Sequence, residues 1–186
     1  MRKIFDCVQL IRFLLIYLFW SSDEKLEQDL ERWKKILGLQ GTYFEVLKKL
    51  LWSHKEFRNL VIYRYSDRPF FKRWIAVVYP PMESLYIEAK EIGGGLFIQH
   101  GFATMIAAEK IGENCWINQQ VTIGYKDNTR SPIIGNNVMI TCGAKVLGNI
   151  TVGDNSVIGA NAVVVKDVEP GSTMVGIPAK QINTRE

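Results

Sequence analysis

Residues 134–168 read IGNNVMITCGAKVLGNITVGDNSVIGANAVVVKDV, and an aliphatic side chain returns at every sixth position: Ile134, Ile140, Val146, Val152, Ile158 and Val164. The fourth residue after each is again small or apolar in most cases: Val138, Ala144, Ile150, Ser156, Ala162 and Val168. Gly, Asn or Asp fill many positions between, as in Ile134-Gly-Asn-Asn and Val152-Gly-Asp-Asn. A period of six fits neither a helix, at about 3.6, nor plain alternation. It fits the hexapeptide repeat of a parallel β-helix. Each hexad supplies a short strand with one bulky side chain turned to the axis, then a Gly/Asn-rich corner where positive φ costs little. Stacked coils pair their strands in parallel and bury a continuous aliphatic column. The fold class is therefore a left-handed parallel β-helix preceded by an α-helical region.

Upstream the same rule selects Ile92 and Ile98, then Ile111, Ile117 and Ile123 after a one-residue insertion. One longer interruption follows Ile123-Gly124, where Tyr125 to Pro132 (YKDNTRSP) precedes the resumed register. A polar, turn-rich excursion from a regular solenoid is a usual location for function.

Up to about residue 80 the pattern is helical. Ser21-x-x-Glu24, Thr42-x-x-Glu45 and Ser53-x-x-Glu56 each read as a capping box. Leu26, Leu30, Trp33 and Leu37 recur at helical spacing, with Gly38 as a stop. Phe57, Leu60, Val61 and Arg64 continue the helical style until Pro69, and Pro80-Pro81 closes the region. The expected organisation is a helical domain over 1–80, a β-helix over 81–182 and a short tail over 183–186.

The segment 4–20, IFDCVQLIRFLLIYLFW, is apolar behind a basic Met1-Arg2-Lys3. It falls short of the roughly 20 residues of a comfortable span and carries Asp6, Gln9 and Arg12. No small-residue cleavage site follows, which disfavours a secretory signal. It reads either as a helix packed against protein or as an interfacial helix in peripheral contact with a membrane. The expected location is the cytoplasm, with the inner face of the membrane as the variant that goes with the second reading.

With 186 residues, 47% hydrophobic and 23% charged, the composition is that of a globular protein and not of a disordered chain. A net charge of +4 without a Lys/Arg block gives no nucleic-acid signal. Cys7, Cys115 and Cys142 are irregularly spaced and suit neither a disulfide framework nor a zinc site. With only His54 and His100 as histidines, no metal centre is expected.

His100 lies two residues after the inward Ile98, hence at a corner or facing outward. It reads equally as a surface turn residue or as a general base able to take a hydroxyl proton near neutral pH. An alcohol is a poor nucleophile toward a thioester until that proton is removed.

GGGLFIQHGFATMIA at 93–107, the run from Val121 to Val168, and the closing Val175-Gly-Ile-Pro-Ala-Lys180 resemble the serine acetyltransferase family of hexapeptide acyltransferases. The resemblance covers about residues 55–182, including a Phe57…Tyr63-Arg64 segment ahead of the β-helix. It implies direct transfer from acetyl-CoA to an acceptor hydroxyl, and a homotrimer with its active sites between subunits. It also implies that His100 is the catalytic base. Cys142, Gly143 and Ala160 match positions lining the pantetheine channel, with Gly124 in the same cofactor set. Lys166 and Lys180 are the nearest cations for the nucleotide phosphates. Cys142 lacks a neighbouring base or helix N-terminus to make a thiolate, so it reads as a small wall residue.

The departures from that family bear on the acceptor. The family carries an acid just before its histidine, where this chain has Gln99, and a partner acid that aligns with Leu85, near Glu83 and Glu88. The family's Arg-His-Pro loop reads Arg130-Ser131-Pro132 and is about three residues shorter. A site without those carboxylates leaves an ammonium without a counter-charge. Gln99, Asn118, Arg130 and Ser131 are accordingly expected to bind a saccharide acceptor, as in polysaccharide biosynthesis. Serine O-acetylation for cysteine biosynthesis is the alternative, and a non-catalytic solenoid scaffold is the alternative from another class.

Overall fold

The computed structural model describes residues 23–127 and 130–182. Both readings of 4–20, and the Ser21 box, fall outside those residues. No described helix is long and apolar enough to cross a membrane.

Among the described residues four helices come first: α1 (Glu24–Ile36), α2 (Tyr43–Ser53), α3 (Lys55–Arg64) and α4 (Pro69–Val78). Asp23 caps α1, its carboxylate accepting from the N–H groups of Lys25 and Leu26. Gly38, at φ +61°, ends that helix in the left-handed conformation that glycine adopts without steric cost. The Thr42 box forms as expected: Thr42 Oγ1 accepts from Glu45 N–H, and Glu45 Oε2 accepts from Thr42 N–H at 2.8 Å. The Ser53 box does not form. Ser53 is the last residue of α2, and His54 alone separates α2 from α3. Glu56 turns to the His54 ring, so it does not reach back to a cap. Pro69 opens α4 where a stop was expected, because at a first helical turn its missing N–H leaves no bond unmade.

Fifteen short strands among the described residues then wind about five coils around three faces. The first face stacks β1 (Leu85–Ile87), β4 (Thr104–Ile106), β7 (Thr122–Gly124), β10 (Lys145–Leu147) and β13 (Val163–Val164). The second stacks β2 (Glu91–Ile92), β5 (Lys110–Ile111), β8 (Ile133–Ile134) and β11 (Thr151–Val152). The third stacks β3 (Phe97–Ile98), β6 (Trp116–Ile117), β9 (Met139–Ile140), β12 (Val157–Ile158) and β14 (Thr173–Val175), and β15 (Lys180–Ile182) closes it antiparallel. Registers align the inward residues coil on coil: Ile98, Ile117, Ile140 and Ile158 on one face, Ile92, Ile111, Ile134 and Val152 on another. All are buried, as the six-residue period requires. The fold is the left-handed β-helix that the hexads announce.

One face departs from the simple reading. Its inward column runs Ile106, Ile123, Val146 and Val164. Eight residues therefore separate Ile98 from Ile106, where six separate Ile117 from Ile123 and Ile140 from Val146. The apparent one-residue insertion is thus two extra residues in the corner that holds His100, offset by a shorter step from Ile106 to Ile111.

The helices are clamped to the first coil through buried charge. Arg64 donates to both carboxylate oxygens of Asp29 (2.8 and 3.1 Å) and to the carbonyls of Ile92 and Gly93. Leu96 N–H donates to Asp29 Oδ1 at 2.9 Å. Burial pushes the Asp29 carboxyl up, while Arg64 and the Leu96 N–H pull it down. Trp33, fully buried on α1, donates its indole N–H to Leu96 O and packs on Phe57 and Phe97.

Candidate active site

The corner between β3 and β4 is built unlike the others. His100, Gly101 and Ala103 all have positive φ, at +65°, +62° and +52°. Seven non-glycine residues share that sign among the described residues. Asn114, Gln120, Asn137, Asn155 and Asn161 are amides at regular corners; the other two are His100 and Ala103. A non-amide in this region costs about 1 kcal/mol or more, and such strain gathers at functional sites. The result is an exposed imidazole at the solenoid's edge.

Gly101 has to be glycine for packing as well as for φ. A Cβ there would lie 3.1 Å from Glu56 Cβ, 3.1 Å from Leu85 Cδ2 and 3.2 Å from Ile98 Cγ2. The first turn of α3 therefore rests directly on the residue after His100.

Above this corner the coils continue in line. Gln99 Oε1 accepts from Trp116 Nε1 (3.3 Å) and from Asn118 Nδ2 (3.2 Å), so Gln99 and Asn118 meet one coil apart. The next corners carry Cys142-Gly143 and Ala160, tied in sequence by Gly143 N–H to Gln119 O and Asn161 N–H to Cys142 O. Gly143, at φ +73°, leaves room that a Cβ would lose against Asn161 Oδ1. At about 4.8 Å per coil, His100 to Ala160 spans roughly 14 Å along the edge. Lys180, paired with Val175 in β15, stands exposed near its far end.

The remaining expected residues lie on a different edge, at the other end of the first face. Gly124 ends β7 with open space where a Cβ would go, Arg130 is exposed in the loop after it, and Lys166 is exposed after β13. Ser131 is 2% exposed and presents no surface hydroxyl in the single chain. Gln99, His100, Asn118, Cys142, Gly143, Ala160 and Lys180 thus share one edge, and Gly124, Arg130, Ser131 and Lys166 share another.

Glu83 and Glu88 are exposed, and Glu88 lines a separate groove with Asn59, Tyr63, Lys72, Tyr86 and Lys90. Leu85 is buried. Two further residues hold places that the sequence does not give them, Glu56 reading there only as a capping residue. Glu56 comes to the His100 corner from more than forty positions away, a distance no local spacing encodes. Gln119, on the same edge, has its Oε1 buried without a hydrogen-bond partner among the described residues. Cys115 is a core thiol, pushed up to about 11 by burial and donating toward Gly135 O.

The family described as bacterial transferase hexapeptide (six repeats) matches residues 131–166. A serine acetyltransferase of Neisseria gonorrhoeae, solved in complex with serine, superposes with TM-score 0.64 and 30% identity over 86% of this chain and 68% of its own. The chain belongs to the serine acetyltransferase family. A Brucella abortus serine acetyltransferase solved with coenzyme A has TM-score 0.62 and 28% identity over 85% of this chain and 66% of its own. In sequence, serine acetyltransferase of Synechococcus elongatus is 45% identical over 95 residues, which is 49% of this chain and 39% of that protein. The match therefore spans less than half of that relative's length. All three family members carry serine in their names, so the expected preference for a saccharide finds no support in them.

Proposed function

We propose that this chain is an O-acetyltransferase that moves an acetyl group from acetyl-CoA to an acceptor hydroxyl. The observation that carries the reading is the two-residue expansion that holds His100 outward in a strained corner, at the foot of an edge walled by Cys142, Gly143 and Ala160. His100 takes the acceptor's hydroxyl proton as the oxygen attacks the thioester carbonyl. The carbon–sulfur bond breaks, and the leaving thiolate receives the proton from the imidazolium, giving an acetyl ester and free coenzyme A. The small wall residues admit the pantetheine arm, with Lys180 as a cation for the phosphates.

Acetyl-CoA and acceptor meet between subunits of a homotrimer. Within one chain the His100 edge and the Arg130 edge stand a full face apart, so a site using both needs a second copy. The face between them exposes Tyr86 and Met105 in adjacent coils, apolar surface suited to burial against that copy.

Serine is the acceptor that the relatives favour, through the Neisseria complex and the names of the others. A neutral polyol is the second reading, favoured by the amide of Gln99 and the buried Leu85 where the family resemblance expects acids. Thiol release from acetyl-CoA, measured with L-serine beside sugar acceptors, tests both. A kcat/KM for serine of about 10⁴ M⁻¹s⁻¹ or above fixes the serine reading. A sugar used far better than serine fixes the polyol. Absence of thiol release with every acceptor rejects catalysis in favour of a scaffold.

A further inference from the structure

We propose that Glu56 of α3 is the positioning residue for His100, supplying from the helical half the carboxylate that the β-helix lacks. The proposal rests on the acetyltransfer reading and deepens it. Beside the inward Ile98, two side chains from other elements close on the glycine next to His100: Leu85, at the position where the resemblance expects the partner acid, and Glu56, each at 3.1 Å from the site of a Cβ. A leucine offers an imidazole nothing, and the glutamate beside it offers an acceptor.

Three further observations fit that role. The Glu56 side chain is only 14% exposed, which a first-turn glutamate serving the helix N-terminus alone does not require. Its Oε1 makes one long contact, 3.4 Å to His54 Nδ1, and its Oε2 takes no hydrogen bond among the described residues. Neither Glu56 oxygen is among the buried polar atoms left without a partner, so the one that makes no protein hydrogen bond is open to solvent and keeps acceptor capacity for another N–H. The turn that carries it is also fixed in place. Arg58 donates to the carbonyls of Leu51, Trp52 and Pro80, and Asn59 exchanges bonds with Met82 and donates to Leu85 O. Glu56 is thereby held against β1 and the His100 corner together.

Accepting from one ring nitrogen of His100, Glu56 keeps the proton there, leaves the other nitrogen bare to take the acceptor's proton, and balances the imidazolium that follows. The full chain has two histidines, so the ring nitrogens of His100 can be assigned by ¹⁵N NMR with His54→Ala as reference. At mildly alkaline pH, wild type is expected to show one His100 nitrogen protonated and the other bare. Glu56→Gln is expected to return the ring to a mixture of tautomers, and Glu56→Asp, one methylene shorter, to give an intermediate mixture. In thiol release, Glu56→Gln is expected to lower kcat roughly ten-fold or more at unchanged KM for acetyl-CoA, with partial rescue by Glu56→Asp. A His100 signature identical in wild type and Glu56→Gln, with only His54 altered, overturns the proposal and leaves Glu56 as a structural partner of His54. The NMR readout needs no substrate. A shifted tautomer in a protein that acetylates nothing upholds the pairing and removes the acetyltransfer reading instead.

Discussion

Two corners of the same solenoid edge solve the same turning problem differently. After Ile140 the chain turns through Thr141, Cys142 and Gly143, with a glycine at the left-handed position and Val146 inward six residues on. After Ile98 it takes two residues more, places His100 and Ala103 in the left-handed region, and calls on a helix from elsewhere in the chain to cover it. The regular corner is self-sufficient: its residues tolerate their backbone conformations, and stacking neighbours satisfy its polar groups. The expanded corner persists only because surrounding structure over-determines it. On the proposed function, strain at the projecting imidazole and support imported from outside the repeat are what set this corner apart from the regular ones.

The largest effect expected is on the support. Asp29→Ala leaves Arg64 buried beside Ile92 and Gly93 without its counter-charge, and loss of about 3–5 kcal/mol in urea unfolding is expected. A loss below about 1 kcal/mol would mean that the helices do not brace the first coil through this pair. Next comes the corner itself. His100→Asn puts a residue at ease with positive φ where a strained one stood, so stability should hold or rise by up to about 1 kcal/mol. Turnover in the same variant should fall about 100-fold or more. Loss of both stability and activity would show that the corner needs the imidazole for folding, and the contrast with regular corners would collapse. The smallest effect is at a regular corner. Asn137→Ala, at φ +55°, should cost about 1 kcal/mol and leave turnover within two-fold, as measured by thermal unfolding and thiol release.

What the sequence by itself determined is the repeat. The residues that fill a β-helix coil are neighbours in the chain, so period, inward column and Asn-rich corners are legible as spacing, whereas Cys142, Gly143 and Ala160 are picked out only by the family resemblance. The Thr42 capping box, whose two bonds span three residues, is legible as spacing too. The tertiary structure decided everything that joins distant parts of the chain. It moved the insertion to the His100 corner, because only strand register shows which isoleucine faces the axis. It divided the expected site residues between two edges, because a corner's position around the prism depends on where each loop is inserted. It also brought Asp29 to Arg64 and Glu56 to Gly101, contacts made by side chains that no period relates. Glu56 reads locally as a helix cap, and only packing sets its Cβ against Gly101. Local hydrogen bonding and periodic burial are encoded within a few residues, whereas a carboxylate's partner depends on which surfaces the whole chain brings together.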